Sequence, residues 1–110
     1  MVNGDLDHIF AALADPTRRA LLERLAQGDA TVKVLAEPFG MTLQAVSRHL
    51  KVLEGAGLIT RGRDAQFRPC GLAERPLEDA ITWIDRNLRT RRERFLLPPV
   101  FRPEGDREGL

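Results

Sequence analysis

Residues 42–55 read TLQAVSRHLKVLEG, a stretch that combines a helix start, a helix end and two chemically different faces. Thr42 is a favourable N-cap, because its side-chain oxygen can accept a hydrogen bond from a backbone N–H of the first turn, and Gly55 suits the end of a helix. The apolar residues recur at steps of four and three: Val46, Leu50 and Leu53. We therefore expect a helix over residues 43–54 with one buried side and one polar, basic side.

Three shorter helices are predicted upstream of this stretch. Residues 5–14 carry apolar side chains at helical spacing and predict the first helix. Asp15 followed by Pro16 starts the second, because Asp is a favourable N-cap and Pro fits the first helical position. Thr31 can cap a third helix, which Pro38 stops within about two turns. The third helix and the helix at residue 43 are joined by a tight turn, as in a helix-turn-helix unit.

The hydrophobic period changes downstream. Residues 58–61 and 66–68 are short β-type runs with a polar turn between them, which predicts a two-stranded ribbon. After Pro76, apolar residues keep one stripe over about 22 residues and predict the longest helix. Pro98 and Pro99 end that helix. The order of elements predicts a mostly α fold with a small β-hairpin wing: a winged helix-turn-helix of four helices, two strands and a fifth helix.

Composition limits the size and the class of the protein. A chain of 110 residues with 43% apolar residues can bury one modest core, which excludes a large multi-domain enzyme. We expect residues 1–97 to form one domain and residues 98–110 to form a flexible C-terminal tail. No apolar run approaches the roughly 20 residues of a membrane-spanning helix, and the start is acidic where a secretory leader is basic. These features predict a cytoplasmic protein without a membrane partner.

The charge distribution indicates an anionic partner. The net charge is only +1, yet residues 42–70 contain five basic and two acidic residues. A positive excess concentrated in the middle of a nearly neutral chain predicts that one face meets a negatively charged molecule.

The exposed side of the helix at residues 43–54 fits the major groove of DNA. Gln44 can pair with adenine and Arg48 with guanine, while short side chains at Ala45 and Ser47 allow close approach. Thr42 suits a phosphate at the helix start, and the wing arginines suit phosphates or the minor groove. The predicted DNA-binding residues are Thr42, Gln44, Ala45, Ser47, Arg48, Lys51, Arg61, Arg63 and Arg68. Residues 1–97 are accordingly predicted to be a DNA-binding and dimerisation domain.

Two helices carry more apolar surface than a small core can cover, which predicts a homodimer. The residues expected at its interface are Leu6, Ile9, Phe10, Leu13, Leu77, Ile81, Ile84 and Leu88. A two-fold dimer places two recognition helices about one DNA turn, 34 to 36 Å, or a multiple of it apart. This spacing predicts an operator that is an inverted repeat.

Two segments resemble the ArsR (ArsR/SmtB) family of bacterial winged-helix repressors: ALADPTRRALLERLAQGDATV at 12–32 and TLQAVSRHLKVLEGAGLITRGRDAQFRPCGL at 42–72. The resemblance implies a homodimer joined through its first and last helices, and repression by occupation of an operator on double-stranded DNA. It also implies base contacts from Gln44, Ser47 and Arg48, with Thr42 at the helix start.

The metal sites of that family do not carry over to this sequence. One type of member places two cysteines at the start of the recognition unit, where this chain reads Val32-Lys33-Val34-Leu35-Ala36. Another uses Asp and His pairs on the last helix, and residues 77–95 contain no His. Asp5, Asp7 and His8 are more typical of an ordinary helix start than of a metal site. We therefore predict neither a metal nor another cofactor.

Two other functions are alternatives to DNA binding. A winged helix can serve only as a protein-interaction module, with its basic face solvated or bound to an acidic partner. A small enzyme is disfavoured, because the chain has two histidines and one cysteine and lacks a Gly-rich phosphate loop. The signal that releases a repressor stays open among an unidentified small-molecule effector, a partner protein, oxidation at Cys70 and simple autoregulation.

Overall fold

The structure, a computed structural model, describes residues 3–62 and 69–94. These residues form five α-helices, one 3-10 turn and a two-stranded antiparallel sheet. The elements are α1 (Asn3–Leu13), α2 (Pro16–Leu25), α3 (Val32–Ala36), the 3-10 turn (Glu37–Phe39), α4 (Leu43–Gly55), β1 (Ile59–Arg61), β2 (Cys70–Leu72) and α5 (Glu74–Arg94). The predicted winged helix-turn-helix is confirmed.

The chain forms two compact units, Met1–Ala80 and Ile81–Leu110. The first unit contains α1 to β2 and the start of α5, and the remainder of α5 belongs to the second. The domain boundary predicted after residue 97 and the tail at 98–110 lie outside the described residues. No helix in the described part of the chain is long and apolar enough to cross a membrane.

Side-chain caps fix the starts of three helices. The Asp15 carboxylate accepts a hydrogen bond from the backbone N–H of Arg18 at 3.0 Å. The hydroxyl oxygen of Thr31 accepts from the N–H of Val34 at 3.4 Å. Thr42 does the same for Ala45 at 3.1 Å. Each bond satisfies a backbone donor that has no partner inside its own helix, so the predicted helix starts are confirmed.

The core of the first unit is aliphatic and fixes the orientation of α4. The side chains in it with less than 2% exposure include Leu21, Leu35, Val46, Leu50, Leu53 and Leu58. Burial of each contributes about 1.5 to 3 kcal/mol relative to an exposed side chain. Because three of these residues lie on α4, its apolar side is held against α2 and α3 and the polar side stays at the surface.

The sheet is short, and its strand β2 has backbone partners on both sides. Ile59 pairs with Leu72 and Arg61 with Cys70 across the antiparallel strands. On its other side Cys70 exchanges two backbone hydrogen bonds with Ala30, at 2.7 and 3.1 Å. The second strand predicted at residues 66–68 lies outside the described residues. The described second strand, Cys70–Leu72, lies at the end of the β region expected from the sequence. Its pairing with Ala30 on the side away from β1 was not expected, because Pro69 and Gly71 favour an edge strand.

Candidate nucleic-acid interface

Five side chains of α4 line one shallow, open concavity of about 390 Å³: Leu43, Gln44, Ser47, Arg48 and Lys51. Their spacing places them within one arc of the helix, away from the buried stripe. Four of them are predicted DNA-binding residues, so the structure brings this part of the predicted site together. Ala45 is half-buried and lies outside the lining of the concavity.

Thr42 is exposed at the start of α4, and its hydroxyl has two functions open to it. The oxygen accepts the hydrogen bond from the N–H of Ala45, which caps the helix. A hydroxyl also carries one hydrogen that it can donate. The cap therefore leaves Thr42 able to donate to a phosphate oxygen beside the positive end of the helix dipole.

The side chain of Arg61 is less accessible than that of a free wing arginine. Its Nε lies 3.8 Å from a carboxylate oxygen of Glu54, near the end of α4, and its side chain is only 22% exposed. The pair joins β1 to α4 and partly neutralises the guanidinium. We therefore expect Arg61 to bind phosphate less strongly than a free wing arginine does. Arg63 and Arg68, the other predicted wing contacts, lie outside the described residues.

Arg18 connects three helices and was missed from the sequence. From α2, its Nε donates to the carbonyl of Ala12 at 2.8 Å and its terminal nitrogen to that of Ala11 at 3.0 Å, both in the last turns of α1. Its other terminal nitrogen lies 3.4 Å from Nδ1 of His49 on α4. One guanidinium thus satisfies carbonyls at the end of α1 and reaches the recognition helix. The only sequence signal was its position three residues after the N-cap Asp15.

The carboxylate of Asp15 completes this polar cluster. The hydrogen bond from the backbone N–H of Arg18 lowers the pKa of Asp15, and the charges of Arg18 and His49 act in the same direction, against some desolvation. His49 Nδ1 lies 3.9 Å from the carboxylate, and the His49 side chain is 24% exposed. His49 thus lies close to both Arg18 and Asp15 at the edge of α4.

Cys70 is fully buried in β2. Burial raises the pKa of the Cys70 thiol; the charge of Arg61 opposes this shift, and the charges of Glu54 and Asp29 add to it. A buried neutral thiol is a poor nucleophile and a poor target for oxidants. Among residues 3–62 and 69–94, no group of three or more His, Cys, Asp or Glu side chains is arranged to hold a metal ion.

The residues predicted at a dimer interface fall into three classes. Ile9 is only 2% exposed and belongs to the core of its own subunit, so it presents no surface to a partner. Leu6, Leu13 and Leu77 are half-buried and pack against the same core. The exposed members are Phe10, Ile81, Ile84 and Leu88. The helical period could not distinguish these classes, because residues of one stripe differ in what covers them.

Comparisons with known proteins agree with this geometry. A family model described as a helix-turn-helix domain matches residues 13–62. The transcriptional repressor SdpR of Bacillus subtilis is 37% identical over 79 residues, which cover 72% of this chain and 88% of that protein.

Solved structures give the same result. The crystal structure of an ArsR family transcriptional regulator is similar with a TM-score of 0.77 and 38% identity, covering 82% of this chain and 93% of that chain. The solution structure of a homodimeric winged helix-turn-helix DNA-binding domain from Mycobacterium bovis matches with a TM-score of 0.63 and 26% identity, covering 76% of this chain and 80% of the other. The chain therefore belongs to the ArsR family of winged helix-turn-helix, DNA-binding transcriptional regulators.

Proposed function

We propose that the protein is a repressor that binds an inverted-repeat operator as a homodimer, with α4 in the major groove. The concavity on α4 carries this proposal, because it presents an amide, a hydroxyl, a guanidinium and an ammonium group on one exposed helix face. Amide and guanidinium groups are the side chains that pair with adenine and guanine edges. Lys51 and the hydroxyl of Thr42 supply phosphate contacts on either side of them.

The proposed dimer rests on exposed apolar surface and on one structural relative. Ile81, Ile84 and Leu88 share one side of α5 and are 44 to 64% exposed. The similar domain from Mycobacterium bovis is homodimeric. Covering the exposed leucine and isoleucines with a second copy removes apolar area from water, which favours association. Phe10 of α1 and Leu77 of α5 are further proposed contacts.

No metal, other cofactor or catalytic activity forms part of this proposal. The cysteine pair of the metal-binding family members has no counterpart on α3, and Cys70 is buried. We therefore propose that the signal that releases the repressor from DNA is not a metal bound by cysteines of α3. The partner is genomic DNA, from which a cytoplasmic location follows.

The test is selection of duplexes from a random pool by the full-length protein, followed by mobility shifts. Arg48→Ala should lose the preference for one base pair, by about 1 to 3 kcal/mol, because the bidentate contact is absent. Arg63→Ala should weaken binding to all sequences alike and flatten its salt dependence. With about 6 to 10 phosphate contacts, wild-type affinity should fall by about 10³ to 10⁵ between 50 and 200 mM salt.

Two outcomes would contradict the proposal. Equal losses on all sequences for both variants would remove the base-reading role of Arg48. Failure to select any duplex at low salt, with no effect of Arg48→Ala, would favour a protein-interaction module instead.

A further inference from the structure

Leu43 is an apolar side chain on the polar face of α4. It is the first residue of the helix, and 51% of it is exposed. It lines the same concavity as Gln44, Ser47 and Arg48. Its position directly after the N-cap Thr42 is visible in the sequence, but no predicted contact involves it.

The packing of the subunit does not account for this leucine. The buried side of α4 is formed by Val46, Leu50 and Leu53, each of which is fully buried. Leu43 lies beside that stripe and remains half outside it. Leu43 belongs neither to the buried core nor to the partly buried residues packed against it, so its exposed apolar surface is available to whatever molecule α4 binds.

The start of a recognition helix is the part that reaches base edges in the major groove. Of the groups that the four bases present there, the C5-methyl of thymine is the apolar one, and it is recognised by apolar side chains. Gln44 and Arg48 on the same surface can pair with base edges, and Lys51 supplies positive charge for the DNA backbone. The concavity thus offers an apolar contact and polar donors side by side.

We propose that Leu43 contacts the C5-methyl group of a thymine in each operator half-site, next to the base pairs contacted by Gln44 and Arg48. This inference rests on the proposed DNA-binding function and adds to it the chemical group that the first residue of α4 recognises. It predicts that every half-site contains a thymine whose methyl group, rather than its hydrogen-bonding edge, determines affinity.

The experiment replaces thymines by deoxyuridine, which lacks only the C5-methyl group. A duplex selected by the full-length protein is remade with one thymine changed at a time, and binding is measured by fluorescence anisotropy. At one thymine per half-site, wild-type affinity should fall about fourfold, the effect of removing one buried methyl group. Changing both half-sites should reduce it by about fifteenfold.

Leu43→Ala distinguishes a direct contact from an effect of the methyl group on DNA shape. The variant should bind the thymine and deoxyuridine duplexes equally, with the affinity of wild type for the deoxyuridine duplex. Val52→Ala is the matched control, because Val52 is 44% exposed on the same helix but lies nine residues further, about 13 Å along the axis. This control should keep the fourfold preference for thymine.

The inference is overturned if Leu43→Ala keeps the preference for thymine, or if deoxyuridine has no effect at any position. Either result leaves DNA binding itself intact. Failure to select any duplex is a different result, which removes the proposed function and this inference together.

Discussion

The two longest helices, α4 and α5, differ in how far their apolar stripes are buried. On α4, Val46, Leu50 and Leu53 are all fully buried inside the first unit. On α5 beyond Ala80, the stripe is exposed, and Ile81 reaches 64% exposure. Both helices have a clear apolar side, so amphipathicity alone does not determine what covers it. The stripe of α4 stabilises the subunit, whereas the stripe of α5 is the surface we assign to a second copy.

The largest effect is expected from a charge placed on the exposed stripe. Ile84→Asp should convert the dimer into a folded monomer, because each buried, unpaired carboxylate costs about 3 to 5 kcal/mol. Light scattering coupled to gel filtration measures the mass. Thr90→Asp adds the same charge to another side of α5 and should leave the dimer intact. An Ile84→Asp protein that stays dimeric would remove the contrast between the two helices.

The next effect tests the buried stripe. Leu50→Ala should lower the free energy of unfolding by about 2 to 5 kcal/mol, because it leaves a cavity in the core. Urea denaturation in the Ile84→Asp background makes the result independent of association. Val52→Ala, on the exposed side of the same helix, should change stability by no more than about 0.5 kcal/mol. Equal effects of the two variants would mean that α4 is not anchored by its stripe.

A smaller loss of stability is expected from removing Arg18, which links α2 to α1 and reaches His49 on α4. Arg18→Ala should reduce the free energy of unfolding by about 1 to 2 kcal/mol, since two carbonyls of α1 lose a charged donor. Arg19→Ala is the control, because Arg19 is exposed and donates one hydrogen bond, to the carbonyl of Leu13. Arg18→Lys should restore only part of the loss, because an ammonium group lacks the planar fork. If Arg18→Lys restored the full stability, the two simultaneous hydrogen bonds of the planar guanidinium would not be needed.

The smallest effect concerns pH. The hydrogen bond from the N–H of Arg18 lowers the pKa of Asp15 below its ordinary value of 3.8. A lowered pKa in the folded state means that this contribution is present above pH 3.8 and is lost as the pH falls through the folded-state pKa. Asp15→Asn should therefore be slightly less stable than wild type at neutral pH and equal to it in strong acid. Melting temperatures between neutral and acidic pH measure this, and a constant difference would contradict it.

The sequence predicted the helices well, because caps and hydrophobic spacing act over a few residues. It did not predict contacts between residues that are distant in sequence. Caps at Asp15 and Thr42 fixed helix starts, because those bonds span three residues. The contact of Arg18 with His49 joins positions 31 residues apart and leaves no periodic pattern. Similarly, Ile9 shares a stripe with Phe10, and only packing shows that Ile9 is covered by its own subunit.

The buried thiol in β2 also provides a natural reporter. Cys70 is the single cysteine of the chain, and because it is fully buried in the core, the structure around β2 must open locally before a reagent reaches the sulfur. The rate of alkylation under native conditions therefore counts openings of the wing, without any label being engineered. If operator DNA makes these openings rarer, alkylation of Cys70 will be slower in the DNA complex. The alkylation rate then reports how much of the protein is bound to DNA.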